Sequence, residues 1–364
     1  MLQFIGQHFY SFLVDLVRLC LWLTILVVIF VPLERLFAAH PQKILRQEIG
    51  ADLGYYFLSS LLPALLLSAP LGVLAWAVYR TVPGSLHAAT AALPLWARAL
   101  AGLVAGEIGY YGYHRLSHQV PFLWRFHSIH HSATQIDFLV NTRAHPVDMV
   151  LSKFSGLVPI YVLGLGGPLG AAGSTVPMVA ALTGTVWGFF IHANLRWRLG
   201  PLEWLMSTPA FHHWHHTLAG PTNRNYASML PWLDRIFGTH YLPREGWPAA
   251  YGIEAKLPCS LAGQLAYPLY ARPAAPGPQK AAKQPPRLDV DAATTQRKSP
   301  RSQSPPRGKN AARTAASSVK PEPRKDKLRN VQQRETRDEQ ENQLAEANRR
   351  RRPLRRRAGH QRRG

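Results

Sequence analysis

Residues 53–79 read LGYYFLSSLLPALLLSAPLGVLAWAVY, an apolar run without one Lys, Arg, Asp or Glu. A span of hydrocarbon needs roughly 20 such residues, and a backbone inside it must satisfy its own hydrogen bonds, which makes the run a membrane helix. Similar runs lie near residues 12–34, 94–113, 148–166 and 173–192. The first carries Asp15 and Arg18, which can snorkel or pair within one turn. The last two are joined by the small-residue stretch LGLGGPLGAAGS and can form a tight hairpin that stops short of a full crossing. The expectation is an all-α integral membrane protein with four to five transmembrane helices.

Charge is divided unevenly. Of the formal net +22, residues 272–364 carry +17 and the remainder only +5. Beyond Pro273 the chain is Pro, Ala, Ser, Gln and Arg with few large apolar residues, too little to offset the entropy of ordering, so a disordered basic tail is predicted. Its runs RRRR at 349–352 and RRR at 355–357 can meet anionic lipid or nucleic acid. Three segments follow: N-terminal membrane helices over 1–93, a catalytic domain over 94–260 and the tail over 272–364. Only Cys20 and Cys259 are present, which excludes a disulfide framework or a thiolate metal site and suits a reducing cytosol. The N-terminus lacks a secretory cleavage pattern, so the first run is expected to stay in the mature protein.

Arg35, Lys43 and Arg46 follow the first run, and the tail follows the last. The positive-inside rule then puts the N-terminus outside and both basic regions in the cytoplasm, with the bacterial inner membrane as the expected setting. With that parity, the stretches beginning at His114, His127 and His192 fall on one face. Residues 193–260, with Trp197, Trp204, Trp214, Trp232 and Trp247, read as a histidine-rich helical cap on the cytosolic side.

Twelve of the sixteen histidines lie between His114 and His240. Three groups stand out: His114-x-x-x-His118, His127-x-x-His130-His131 and His212-His213-x-His215-His216. At this histidine frequency His-x-x-His-His should occur by chance about 0.03 times, and it occurs twice. On a helix, residues i, i+3 and i+4 share a face, so each group can present two or three imidazoles to one point. With His192 as a ninth position, the ligands His114, His118, His127, His130, His131, His192, His212, His215 and His216 are too many for one tetrahedral zinc and suit two ions. Imidazole sites serve iron, copper and zinc alike, and a pair of ions suits oxygen activation or hydrolysis. Glu107, Tyr111, His114 and His118 are spaced 4, 3 and 4 apart, a stripe running from membrane depth to the proposed metal. Glu107 either pairs inside the bundle or orients a ligating imidazole. His145, in NTRAHPVD, is read as a helix-terminal residue or one near the metal. Glu107, Tyr111 and His145 are thus the candidate catalytic residues outside the ligand set. His213 lies about 100° round the helix from its neighbours and is read as supporting rather than ligating. Phe122, Trp124 and Trp187 are candidate liners of a lipid site.

Residues 94–243 resemble the fatty acid hydroxylase and sterol desaturase superfamily, and within it the bacterial sterol desaturase-like proteins. The resemblance rests on YYGYHRLSH, FLWRFHSIHHS, RAHPVD, IHANLRW, TPAFHHWHH and NYASMLPWLDRIFGTHYLP, in that order. It implies membrane helices under a cytosolic cap, and a non-haem di-iron centre, held by the nine histidines named above, that uses O2 to hydroxylate or desaturate a lipid C–H. Zinc is a possible substitute for the two iron ions. His213 stands where eukaryotic members carry Asp. No dinucleotide fingerprint, flavin motif or haem attachment sequence is present, so the electrons must come from a separate reductase, ferredoxin or cytochrome. Two rivals remain: a membrane-tethered interaction protein whose metal is structural and whose tail is the working part, and a zinc-dependent membrane hydrolase.

Overall fold

The computed structural model describes residues 2–166 and 175–271; the predicted tail and part of the small-residue hairpin lie outside the described residues. Two long helices come first, α1 (Leu2–Leu36) and α2 (Ile49–Thr81). A short α3 (Gly84–Ala91) leads into α4 (Leu95–Gln119), α5 (Pro121–His127), α6 (Pro146–Val162) and α7 (Thr175–His192). Beyond them come α8 (Pro209–His215), α9 (Trp232–Ile236) and α10 (Leu261–Tyr270). The protein is all-helical, with no strand among the described residues beyond an isolated bridge between Thr217 and Tyr251.

Helices form at all five apolar runs. Three are long and apolar enough to cross a membrane: Phe9–Leu36, Ile49–Thr81 and Thr175–His192. The first two bury only 6% of their most apolar window, leaving Leu21, Trp22, Val28, Val73 and Trp76 exposed as a lipid-facing surface would be. The third and fourth runs differ from expectation. The third continues past residue 113 to Gln119 as a mixed apolar and polar helix, and the fourth ends at Val162.

Local sequence sets the helix starts. Pro121, Pro146 and Pro209 each occupy a first-turn position, where the missing N–H costs nothing. Thr208 caps α8 by accepting from the Phe211 N–H. The helices pack through small residues. A Cβ at Gly109 would overlap the Ser155 carbonyl oxygen, and one at Gly106 would lie 3.4 Å from the Gly156 oxygen, so α4 and α6 approach backbone to backbone. One turn earlier on α4, Gly102 faces Val176 of α7. Phe30 of α1 and Tyr56 of α2 share a core with Phe138, Leu139 and Phe189. Glu34, near the end of α1, ties this core to the site by accepting from the Phe138 and Asn194 N–H groups at 2.8 and 3.0 Å.

The packing predicts a position-specific effect. Gly109→Ala should lower stability by about 1–3 kcal/mol, the usual range for overpacking. Gly112→Ala, which meets nothing within 4 Å, should be neutral. Thermal unfolding of the two variants in detergent checks this.

Candidate metal centre

Nine imidazoles converge, and they sort into two groups. His114, His118, His127, His131 and His215 form one; His130, His192, His212 and His216 form the other. Within each group one nitrogen per ring lies within 4.8 Å of all the others, and every ring is buried. The groups share a wall: the His131 and His216 rings stack at 4.4 Å and those of His130 and His131 meet edge-on at 5.3 Å.

The sorting departs from the sequence expectation that each cluster aims at one point. His127 ends α5, while His130 and His131 sit in a separate 3-10 turn. The i, i+4 pairs stay together: His114 with His118, His127 with His131, His212 with His216. The i+3 residue crosses over, so His130 joins the second group and His215 the first. Each His-x-x-His-His cluster therefore contributes to both groups.

Hydrogen bonds behind the rings fix which nitrogen faces inward. Nδ1 of His114, His130, His192 and His215 points at the carbonyl oxygens of Tyr226, Arg143, Gly188 and Arg224, at 2.6 to 3.1 Å. His118 Nδ1 meets Asn223 Oδ1 at 3.2 Å and His127 Nδ1 meets Asp148 Oδ2 at 3.0 Å. A carbonyl oxygen can only accept, so Nδ1 carries the hydrogen and Nε2 presents its lone pair to the centre. Burial, reinforced by neighbouring imidazoles, pushes His131, His212, His215 and His216 well below the ordinary imidazole range, and His130 down to about 3. These rings are therefore neutral.

Rings that turn Nε2 lone pairs toward one another do not belong so close together on their own. Nε2 of His127 is 3.1 Å from that of His118 and 3.2 Å from that of His131. In the second group Nε2 atoms follow one another from His130 to His192, His212 and His216 at 3.3, 3.0 and 3.1 Å. His114 Nε2 and His215 Nε2 are buried without any hydrogen-bond partner. Lone pairs facing lone pairs repel, and unpaired buried nitrogens are costly. A cation within each group reverses both terms, so the donor set fits a metal, and imidazole donors suit a transition ion.

The supporting layer was only partly visible in the sequence. Three acceptors for the first group, Asn223 Oδ1, Arg224 O and Tyr226 O, come from one short segment. Asn223 and Asn225 there adopt φ of 59°, a left-handed conformation that asparagine tolerates better than most residues. Asp234 fastens the segment by accepting from the Tyr226 and Ala227 N–H groups, both at 2.8 Å. Glu107 accepts from the N–H of Met229 at 2.7 Å, and Tyr111 hydrogen-bonds Thr239, which donates to Asp234. Glu107 and Tyr111 thus hold the acceptor segment and have no hydrogen bond to an imidazole. His145 stands apart from both groups. It caps α6 by accepting from the Val147 N–H and reaches the Leu265 carbonyl at 3.2 Å, the helix-terminal alternative. His213 faces away from the groups, between Ala193 O and the Tyr251 hydroxyl. Trp124 packs on the His118 ring at 5.1 Å, while Phe122 is exposed and Trp187 donates to Ser207.

Two residues mattered more than their sequence context suggested. Asp148 links His127 to the Tyr113 hydroxyl, and it was visible only as the last letter of RAHPVD. Arg143, completely buried, offers its carbonyl to His130 while its guanidinium is gripped by Asp52 and Glu48 from the start of α2. Nothing local in the sequence pairs residues so far apart.

Residues 99–239 match the family model described as fatty acid hydroxylase. This stretch contains all nine imidazoles. Similar proteins include the ornithine lipid hydroxylase OlsE of Rhizobium tropici, 34% identical over 177 residues, 48% of this chain and 51% of that protein. The alkylglycerol monooxygenase of Xenopus tropicalis is 30% identical over 141 residues, 38% of this chain and 29% of that protein. The very-long-chain aldehyde decarbonylase GL1-5 of Oryza sativa subsp. indica is 30% identical over 196 residues, 46% of this chain and 27% of that protein. The chain spans about half the length of the first of these relatives and under a third of the other two. No solved structure matches the chain.

Two substitutions separate a metal support from a structural cap. Asp148→Asn should weaken metal affinity about 10–100-fold, as loss of a group behind a ligating imidazole does. His145→Ala should keep the metal content of the parent protein and cost about 0.5–2 kcal/mol of stability as a lost cap. Metal titration and thermal unfolding of both variants read the difference.

Proposed function

We propose that this protein is a membrane-bound non-haem di-iron oxygenase that hydroxylates or desaturates a lipid with O2 and electrons from a separate donor protein. The observation that supports it most is the division of nine buried imidazoles into adjacent groups of five and four. The similarity to lipid hydroxylases and monooxygenases favours oxygen chemistry over the hydrolytic alternative.

In this reading His114, His118, His127, His131 and His215 hold one ion and His130, His192, His212 and His216 hold the other. An iron pair, when bound, supplies the oxygen activation needed to attack an unactivated C–H bond. The protein's own contribution is position. Backbone carbonyls and Asp148 lock the imidazoles in one tautomer and orientation, so no reorganisation is needed when charge develops. The buried rings and Trp124 keep bulk water from the reacting atoms. The apolar helices let a lipid reach the site without passing through water.

The 94–260 segment is then the catalytic domain, carried on the helices of 1–93. By the positive-inside rule, Arg35, Lys43 and Arg46 support a cytoplasmic metal face, with the N-terminus outside and, in a bacterium, the inner membrane as host. The basic tail carries the charge to meet anionic lipid or nucleic acid.

Elemental analysis of the purified protein should give about two iron ions per chain, one for each imidazole group. His130→Ala and His131→Ala should each lower that content. Lipidomics of cells expressing the parent protein and His130→Ala should differ by a species changed by one oxygen or two hydrogens. Zinc alone, with no oxygen uptake and no such lipid, would favour a hydrolase instead.

A further inference from the structure

Five large apolar side chains in the segments that follow α7 lie in the open. Leu202, Trp204 and Leu205 belong to the 3-10 turn Gly200–Trp204 and the residue after it, while Ile236 and Phe237 close α9. They are between 51 and 69% exposed, and of the five tryptophans in residues 193–260 Trp204 alone is exposed. Arg235 holds the two pieces together. Its guanidinium lies 4.2 Å from the centre of the Trp204 ring and donates to the carbonyls of Glu203 and Trp204 at 3.1 and 3.2 Å. The result is one apolar surface built on two short elements, which is more than the scattered single residues an ordinary surface shows.

Contacts with α4 and α7 fix the height of this surface. The two helices run side by side in one direction, because Gly102 faces Val176 near their starts and their far ends carry His118 and His192 into the imidazole groups. After His192 the chain turns back along them. Trp187 donates to the Ser207 hydroxyl at 3.0 Å, the Ser207 N–H donates to the Met229 carbonyl at 2.9 Å, and the Met229 N–H donates to Glu107 at 2.7 Å. The Phe237 ring stacks on Tyr111 at 5.2 Å, with its other side in the open. Trp187 precedes His192, and Glu107 and Tyr111 precede His114, by distances of about 5–10 Å along the helix axes. These attachment points therefore lie on the membrane side of the imidazoles, beside a helix long and apolar enough to cross a bilayer. At that depth the surface meets lipid before it meets a soluble partner.

The charges agree with a lipid occupant. Both acids of the two segments are turned inward: Glu203 meets Arg198 at 3.3 Å, and Asp234 accepts from the Tyr226 and Ala227 N–H groups. The half-buried Arg235 is thus the one charge set beside the exposed apolar groups, a cation stacked on an indole, which suits the level of the phosphates. We propose that segments 200–207 and 230–237 form an interfacial wedge. It inserts Leu202, Trp204, Leu205, Ile236 and Phe237 into the bilayer leaflet on the imidazole side, with Arg235 at the headgroups. The inference rests on α7 crossing the membrane and not on the metal or the reaction.

The test reads depth. Full-length protein with Cys20→Ser and Cys259→Ser is placed in phosphatidylcholine and phosphatidylglycerol nanodiscs and carries one NBD fluorophore at a time. The label enters through Leu205→Cys or Ile236→Cys on the wedge, Leu182→Cys on the exposed middle of α7, or the exposed Glu245→Cys as an aqueous reference. Iodide quenches from water, and doxyl-labelled lipids quench from known depths in the bilayer. Labels at Leu205 and Ile236 should be shielded from iodide, quenched by lipid, and lie about 5–10 Å inside the phosphates, shallower than Leu182. Iodide quenching equal to that at Glu245, with Leu182 still deep, overturns the wedge and leaves the α7 span standing. Shielding from both quenchers marks a protein occupant, a second copy included, and overturns it equally. A Leu182 label at the water level removes the span and the wedge with it. The two wedge labels sit on separate elements, so if one variant does not fold the other decides.

Discussion

The hydrogen bond from an imidazole Nδ1 to an oxygen behind it is the interaction on which this structure depends. Taken singly it is an ordinary contact. Repeated around six rings, it decides that Nε2, and not Nδ1, faces the interior, and it turns the planes of the rings toward two common points. The surroundings of the imidazoles can be understood as a means of putting those oxygens in place. The left-handed asparagines, the Asp234 turn and the Glu107 carboxylate all serve a segment whose outward-facing oxygens would otherwise have no reason to line up.

The membrane helices participate in this arrangement rather than only anchoring it. The start of α2 grips Arg143, whose carbonyl orients His130, and Arg46, between α1 and α2, is bound by Asp137 through two bonds of 2.7 and 3.0 Å. Buried charges of this kind are costly to desolvate and are retained where both partners are fixed. Here they set the height of the imidazole groups against the helices that would admit a lipid.

Much of this was legible in the sequence because the signals were local. Apolar runs forecast the helices, and His-x-x-His-His forecasts clustered imidazoles; both depend only on neighbours three or four residues apart. Eight of the nine converging histidines, and the outward turn of His213, followed from that periodicity; His192 followed from its place at the end of the fifth apolar run. What was not legible involved distance or backbone shape. Glu107 lies on the expected stripe, yet its partners are the N–H groups of Met229 and Leu230, more than a hundred residues away. His145 looks like a ligand by residue type and is a cap by position, because Pro146 begins a helix directly after it. The crossing of His130 and His215 between groups was hidden too, since α5 stops at His127 and the following residues take a tighter turn.

That crossing gives the pair of sites a shared fate. Because each His-x-x-His-His cluster lends two rings to one group and one to the other, capturing a first ion pins the backbone that carries ligands for the second. On the proposed two-ion reading, filling would then be cooperative, because the first ion would hold backbone that carries ligands for the second. The same coupling would let the chain discriminate at the level of the pair, since an ion of the wrong geometry in one group would displace rings that belong to its neighbour.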